Sequence, residues 1–326
     1  PPLRPRFTPG PMTLPRFFVA NARQAGTVAV FLVLCLVLSV LTPHFLTTSN
    51  LLNVAQQTVI NAVIAVGLTY VILSGGIDLS VGSVLALAGV VLALALQAGW
   101  PVPLAIGACL VVGAACGTVN GLLVAFGRLP PFIATLGLMS VARGGALLVT
   151  DGRPVSGFDA SFRWLATGEV LGIPVPVWCM LAVYGVAHFV LKRTKFGRYV
   201  VAIGGNEEAS LLSGVPVAAC KVGIYALGGG LAAAASVLLT ARLNSAQPIA
   251  GLSYELDAIA ATVIGGTSLM GGQGSVFGTL VGALIMGVLR NGLNLLGVSS
   301  YVQQVVIGAV IIAAVLLDTV FKGSKR

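Results

Sequence analysis

The chain has 326 residues, 57% of them hydrophobic and only 8% charged, with a mean hydropathy of +1.02. Soluble domains carry about a quarter charged residues, so a water-soluble fold is excluded, and with no long polar stretch between apolar runs a single membrane domain is the simplest organisation. The formal charge of +9 sits in short segments flanking those runs, the placement that sets orientation in lipid rather than one that tracks a phosphate backbone; no nucleic-acid partner is expected.

Residues 1–25 read as a cytoplasmic N-terminal tail, and residues 26–326 as one transmembrane domain. The chain begins with Pro1 rather than Met, so its true start is expected to be missing or processed; the opening PPLRPRFTPG is expected to be a disordered tail or an artefact. Arg4, Arg6, Arg16 and Arg23 precede an apolar run from Thr27 to Leu41. Thr42, Pro43, His44 and Phe45 follow it without a small-residue cleavage site, so the run reads as a retained first helix.

A helix needs about 20 apolar residues to cross the hydrocarbon core. Ten candidate spans run 26–42, 51–73, 79–98, 103–125, 132–150, 176–191, 217–241, 257–270, 275–296 and 302–320, the first, sixth and eighth being short. The expected architecture is therefore an all-α polytopic bundle of about ten transmembrane helices. With the N-terminus inside, twelve Lys and Arg residues fall in cytoplasmic segments, among them Arg128, Lys192, Arg193, Lys195 and Arg198. Only Arg153, Arg163 and Arg242 fall outside, while Arg143, Lys221 and Arg290 lie in or beside spans. This bias predicts that both termini face the cytoplasm.

The outer loop from Asp151 to Val175 mixes charges with Trp164 and reads as a docking or lid surface. The inner loop, 192–216, has a basic entry, a break at Gly204 and Gly205, and then Asn206, Glu207 and Glu208 opening a short helix that ends at Gly214 and Pro216. Acidic residues in a first turn and Gly after the last match helix-end electrostatics and capping. So short a helix reads as a contact element.

The sharpest local feature is SGGIDLSVGS, Ser74 to Ser83. Gly75 and Gly76 break the second span, and Asp78 is placed to accept the N–H of Ser80 or Val81 as a cap on the third. An acid in the membrane is also a candidate pathway residue; cap and pathway are compatible if the broken helix lines the route. A weak echo, GGQGSVFGT from Gly271 to Thr279, hints at an internal repeat of the kind transporters contain. Gln56, Gln57, Asn61, Asn120, Asn291, Asn294, Gln303 and Gln304 interrupt other spans. Singly, each reads first as glue between helices; together they suggest a polar interior without fixed charge, suited to a neutral solute.

No GxxxxGK[ST] phosphate loop occurs, since none of the five lysines follows a glycine. No GxSxG nucleophile motif occurs either. His44 and His188 stand isolated. The five cysteines, all in apolar spans, show no metal-ligand spacing, and read as small packing residues. We therefore expect no catalytic residues, no metal and no bound cofactor.

SGGIDLSVGSVLALAG, GRLPPFIATLG (Gly127 to Gly137), AIGGNEEASLLSGV (Ala202 to Val215) and the long run from Leu256 to Gly308 resemble, in order, the ribose-type permeases of bacterial ATP-binding-cassette sugar importers. The resemblance implies a multi-pass protein of the bacterial inner membrane, in contact with lipid, that passes a monosaccharide inward by alternating access. It further implies a second permease copy, a periplasmic sugar-binding protein, and a cytoplasmic ATP-binding subunit, often with tandem ATPase domains, that uses the ATP and Mg. The inner-loop helix around Glu207 and Glu208, bounded by Gly204, Gly205 and Asn206 and by Ser213 and Gly214, would be the coupling helix. The alternatives are an ion-coupled secondary transporter, which would be expected to pair intramembrane acids or bases, and a membrane scaffold.

Overall fold

The computed structural model describes the backbone of residues 16–323 and the side chains of residues 25–316. The tail read from PPLRPRFTPG, and Lys325 and Arg326 at the other end, lie outside the described residues.

The elements in chain order are α1 (Arg16–Leu41), α2 (Thr48–Leu73), α3 (Val81–Gln97), α4 (Val102–Ala125), α5 (Pro131–Thr150), β1 (Val155–Ser156), α6 (Ala160–Thr167), β2 (Glu169–Val170), β3 (Ile173–Pro174), α7 (Val175–Arg193), α8 (Lys195–Gly205), α9 (Glu207–Leu212), α10 (Val217–Leu243), β4 (Ser245–Ala246), α11 (Tyr254–Ile264), α12 (Val276–Leu295) and α13 (Ser300–Gly323). Each of the ten expected spans falls on a helix. Among the described residues, six helices, α2, α4, α5, α7, α10 and α12, are long and apolar enough to cross a membrane, and the apolar parts of α1, α3 and α13 are shorter.

The eighth span, read as 257–270, departs most from expectation. Its helix α11 stops at Ile264 after 11 residues, about 16 Å at 1.5 Å per residue, or half of the roughly 30 Å core. Gly266, Gly271 and Gly272 have φ of +88°, +80° and +71°, a left-handed backbone that a right-handed helix cannot absorb. The chain therefore continues to Ser275 as turns and extended backbone.

The core is organised on α2, which carries no charged residue and is buried from Thr58 to Leu73 except at Asn61. Its neighbours bond directly to its backbone or hydroxyls. Tyr184 Oη on α7 donates to the Ala62 carbonyl at 3.0 Å, and Tyr70 Oη donates back to Ala187 at 2.5 Å. Thr69 and Thr279 share a 2.7 Å hydroxyl contact with α12, and Thr262 on α11 reaches the Ala65 carbonyl at 3.3 Å.

Helix α10 is clamped between α2 and α4 by small residues. Gly113, Gly117 and Gly121 recur every fourth residue and so lie on one face of α4. A Cβ on Gly117 would collide with the Tyr225 carbonyl, one on Gly113 with the Gly229 carbonyl, and one on Gly121 with Val222 Cα. On the α2 side, a Cβ on Gly67 would stand 3.0 Å from Gly228 Cα. In lipid, packing rather than hydrophobicity drives helix association, and small residues permit such approach.

The outer loop folds back on the end of α10. β1 pairs antiparallel with β4, Val155 opposite Ala246, and Asn244 Oδ1 accepts the Phe158 N–H at 3.0 Å. Phe158 meets the buried Phe162 of α6 edge-on at 5.5 Å.

The α4–α10 clamp makes a sharp prediction. Gly117→Ala should destabilise the protein by about 1–3 kcal/mol, the usual cost of overpacking, whereas Gly107→Ala on the same helix, where an added Cβ meets nothing within 4 Å, should not. Thermal unfolding of both variants in detergent checks it; equal midpoints would contradict the clamp.

Candidate functional site

Three polar or irregular regions stand out, and the clamp around α10 brings the first of them together. Between α2 and α3 the backbone is non-helical from Ser74 to Ser80, with Gly75 in the left-handed region at φ +83°. Asp78 is buried, at 1% exposure. Its Oδ1 accepts the Ser80 N–H at 2.8 Å and the Ser80 hydroxyl at 2.6 Å. Asn120 Nδ2 on α4 donates to that same hydroxyl at 2.9 Å. Asp78 accepts the Ser80 N–H as expected, while the residue that immediately precedes α3 is Ser80, whose side chain makes no cap bond. Ser275, in the echo motif, does cap its helix by accepting the Gly278 N–H at 2.9 Å.

Tyr225 of α10, which sequence reasoning did not single out, closes this region. Its hydroxyl occupies the space that a Cβ on Gly76 would need. Tyr225 Oη and Asn120 Oδ1 are both buried without a hydrogen-bond partner, so the cluster holds more hydrogen-bonding capacity than its own members use.

The second region lies midway along α2. Asn61 Nδ2 approaches Asp257 Oδ2 at 3.4 Å, and Arg290 Nη2 bonds the same oxygen at 2.7 Å. This corrects the expectation of an interior without fixed charge: an ion pair joins α11 to α12 beside Asn61. Arg290 was read only as lying in or beside a span, and a sequence separation of 33 concealed its pairing with Asp257. The remaining amides divide differently. Asn291 and Asn50 exchange reciprocal bonds of 2.9 and 3.1 Å between α12 and α2, and Asn294 accepts from Gln303 at 2.8 Å between α12 and α13. These two act as glue. At Gln56 it is the backbone carbonyl, not the side-chain amide, that accepts from Arg242 at 3.5 Å, and Gln57 is exposed.

The third region is the inner loop. α9 opens as expected: Asn206 Oδ1 accepts the Ala209 N–H at 2.8 Å, Glu207 and Glu208 occupy the first turn, Ser213 is the C-cap, and Gly214 follows at φ +81°. Helix α8, before it, was not expected. Thr194 caps it by accepting the Gly197 N–H at 3.2 Å, and Gly197, Val200 and Ile203 are its buried side; the cap and the three-residue apolar spacing were its legible signals. Glu207 pairs with Lys221 of α10 at 2.6 Å. Lys221 lies one turn before Tyr225 on the same face of α10.

Three of the Gly-Gly pairs of the sequence, at 75/76, 204/205 and 271/272, meet at one point. Gly272 N–H donates to the Leu73 carbonyl at 2.8 Å. A Cβ on Gly204 would collide with the Leu73 carbonyl and the Gly272 nitrogen, and one on Gly271 would stand 2.7 Å from the Gly204 carbonyl and 3.0 Å from Gly75 N. The end of α8, the break after α2 and the extended segment after α11 are thus in backbone contact.

A family model described as the permease component of a branched-chain amino acid transport system matches residues 50–315, which includes all three regions. The chain is also 50% identical to the ribose import permease protein of Haemophilus influenzae, over 90% of this chain and 92% of that one. The chain belongs to the ribose-type permease family. The Escherichia coli K12 ribose import permease protein is 51% identical over 93% of this chain and 96% of its own, and the D-allose transport system permease protein of the same strain is 42% identical over 90% of each. No solved structure matches. As a permease, the chain is a multi-pass membrane protein and a transport subunit rather than an enzyme.

The Asp78 cluster generates a two-sided prediction. Asp78→Ala removes the acceptor for two bonds and should cost about 1–3 kcal/mol of stability, the penalty for buried groups left unpaired. Asp78→Asn keeps an acceptor at Oδ1 and should fold, yet impair transport. Full transport by Asp78→Asn would reduce Asp78 to a local turn residue.

Proposed function

We propose that this chain is the membrane-spanning permease of an ATP-driven importer for ribose or a closely related monosaccharide. It works in the bacterial inner membrane beside a cytoplasmic ATP-binding subunit with tandem ATPase domains, which consumes the ATP and Mg, and receives sugar from a periplasmic binding protein. Two permease copies enclose the route. The substrate follows the names of the relatives; the family description mentions amino acids, but the relatives at 42–51% identity cited above are named for sugars.

The observation that carries the ATP-driven reading is the backbone contact of Gly204 with Leu73 and Gly272. Through it a push on α9 reaches the break at Asp78 without passing through any flexible side chain. A second route runs from Glu207 through Lys221 along α10 to Tyr225. On α9 itself, Leu211 and Leu212 are 63% and 84% exposed beside the exposed Glu208, a surface suited to an ATPase groove. An ATP-driven cycle then draws on a separate ATPase, since no GxxxxGK[ST] phosphate loop occurs in this sequence.

In this reading the chain makes ten crossings with both ends in the cytoplasm, the orientation resting on the Lys and Arg bias; α11 and its continuation count as one crossing because the Gly272 N–H reaches the Leu73 carbonyl. Discontinuous spans of this kind frame substrate sites in many transporters. An ion-coupled mechanism is not favoured: the charge of Asp257 is already met by Arg290.

Glu207→Ala combined with Glu208→Ala should leave the protein inserted but weaken co-purification of the ATP-binding subunit about tenfold, equivalent to about 1.4 kcal/mol, with matching loss of sugar-stimulated ATP hydrolysis. Unchanged co-purification and hydrolysis would contradict the coupling role.

A further inference from the structure

Deepening the sugar-permease reading, on which it rests, we propose that Asn61, Asp257 and Arg290, with Tyr254 beside them, form a polyol-binding subsite at mid-depth on the solute route. Depth is the first argument. Asn61 lies thirteen residues into the 26-residue α2, about 20 Å from its start at 1.5 Å per residue. A sugar crossing between the two membrane faces passes this level.

Exposure is the second argument. The Arg290 side chain is 42% exposed while Asp257 is 7% exposed. A guanidinium at mid-depth is strongly disfavoured against lipid tails, so the face onto which Arg290 opens is an aqueous route or protein. Gln57, one turn before Asn61 on the same stripe of α2, is exposed, and Tyr254 lies one turn before Asp257 on the same face of α11. Arg242 at the end of α10 reaches the Gln56 backbone carbonyl at 3.5 Å, so polar groups of α2, α10, α11 and α12 lie near one another.

Unused capacity is the third. Asn61 Oδ1 is enclosed and has no hydrogen-bond partner, whereas its Nδ2 is turned to Asp257. A purely structural ion pair does not need an idle acceptor beside it. Neighbouring hydroxyls of a sugar supply what the group lacks: one O–H to donate to Asn61 Oδ1, another to donate to the carboxylate, and oxygen lone pairs for the guanidinium hydrogens that Asp257 does not take. The pair is neutral as a unit, so it holds an uncharged polyol without trapping an ion.

The test uses the complete importer, permease with ATP-binding subunit, in vesicles supplied with ribose-loaded binding protein, and reads ribose uptake and ATP hydrolysis together. Asp257→Asn is expected to lower uptake about tenfold, the scale of a lost charge-assisted hydrogen bond, while stimulated ATP hydrolysis persists. Asn61→Ala, which leaves the ion pair intact, is expected to lower uptake about threefold, the scale of one neutral hydrogen bond, again with hydrolysis retained. Unchanged uptake in Asn61→Ala overturns the proposal, as does full recovery of uptake when Asp257→Asn is combined with Arg290→Gln, because that recovery would mean that only charge balance matters. If the wild-type complex itself takes up no ribose, the sugar-permease reading fails and this inference with it; if the wild type transports and the variants match it, the inference alone fails.

Discussion

Backbone that leaves the helical state inside a membrane must find its hydrogen bonds in protein, because lipid offers none. Two segments of this chain face that constraint, 74–80 and 265–275, and each uses the other's neighbourhood to meet it. Gly76 N–H returns to the Val71 carbonyl, Ser268 N–H takes the Gln273 carbonyl, and Gly272 N–H crosses to Leu73. The crossing bond is possible only because Gly75, Gly204, Gly271 and Gly272 present no side chains where they meet. Three loops are thereby locked at one point, and the inner loop becomes mechanically continuous with the break that carries Asp78.

The rest of the architecture serves that point. α2 stands at the centre and hands its irregular end to the junction, while the small-residue faces of α4 and α10 press Asn120 and Tyr225 around Asp78. Charge is used sparingly. Asp78 accepts a backbone N–H and a hydroxyl from Ser80, with Asn120 behind that hydroxyl, and Asp257 is matched by Arg290. The interior is polar enough to pass a hydroxylated solute, and these two carboxylates are hydrogen-bonded or balanced.

Much of this was legible in the sequence. Apolar runs located every major helix, because the 20-residue requirement of the bilayer leaves few alternatives. The Gly-Gly pairs at 75/76, 204/205 and 271/272 marked breaks, and Asn206 with Glu207 and Glu208 marked α9. What was not legible is what depends on tertiary contact. α11 ends at Ile264 although the span was read to residue 270, since Gly266 takes a left-handed backbone. Asn291 and Asn61 look alike in sequence, yet one is paired with Asn50 and the other borders an ion pair. Tyr225 was hidden because a tyrosine in an apolar helix carries no local signal; only the approach of Gly76 reveals its position.

The central claim is that this permease moves sugar at the expense of ATP hydrolysed by a partner that acts on the inner loop. The most direct measurement is uptake of labelled ribose into vesicles containing the permease and its ATP-binding subunit, with binding protein on the loading side and ATP on the other. The account predicts accumulation that requires ATP and survives a proton uncoupler. Accumulation that proceeds without nucleotide or ATPase partner and collapses with the uncoupler would contradict it.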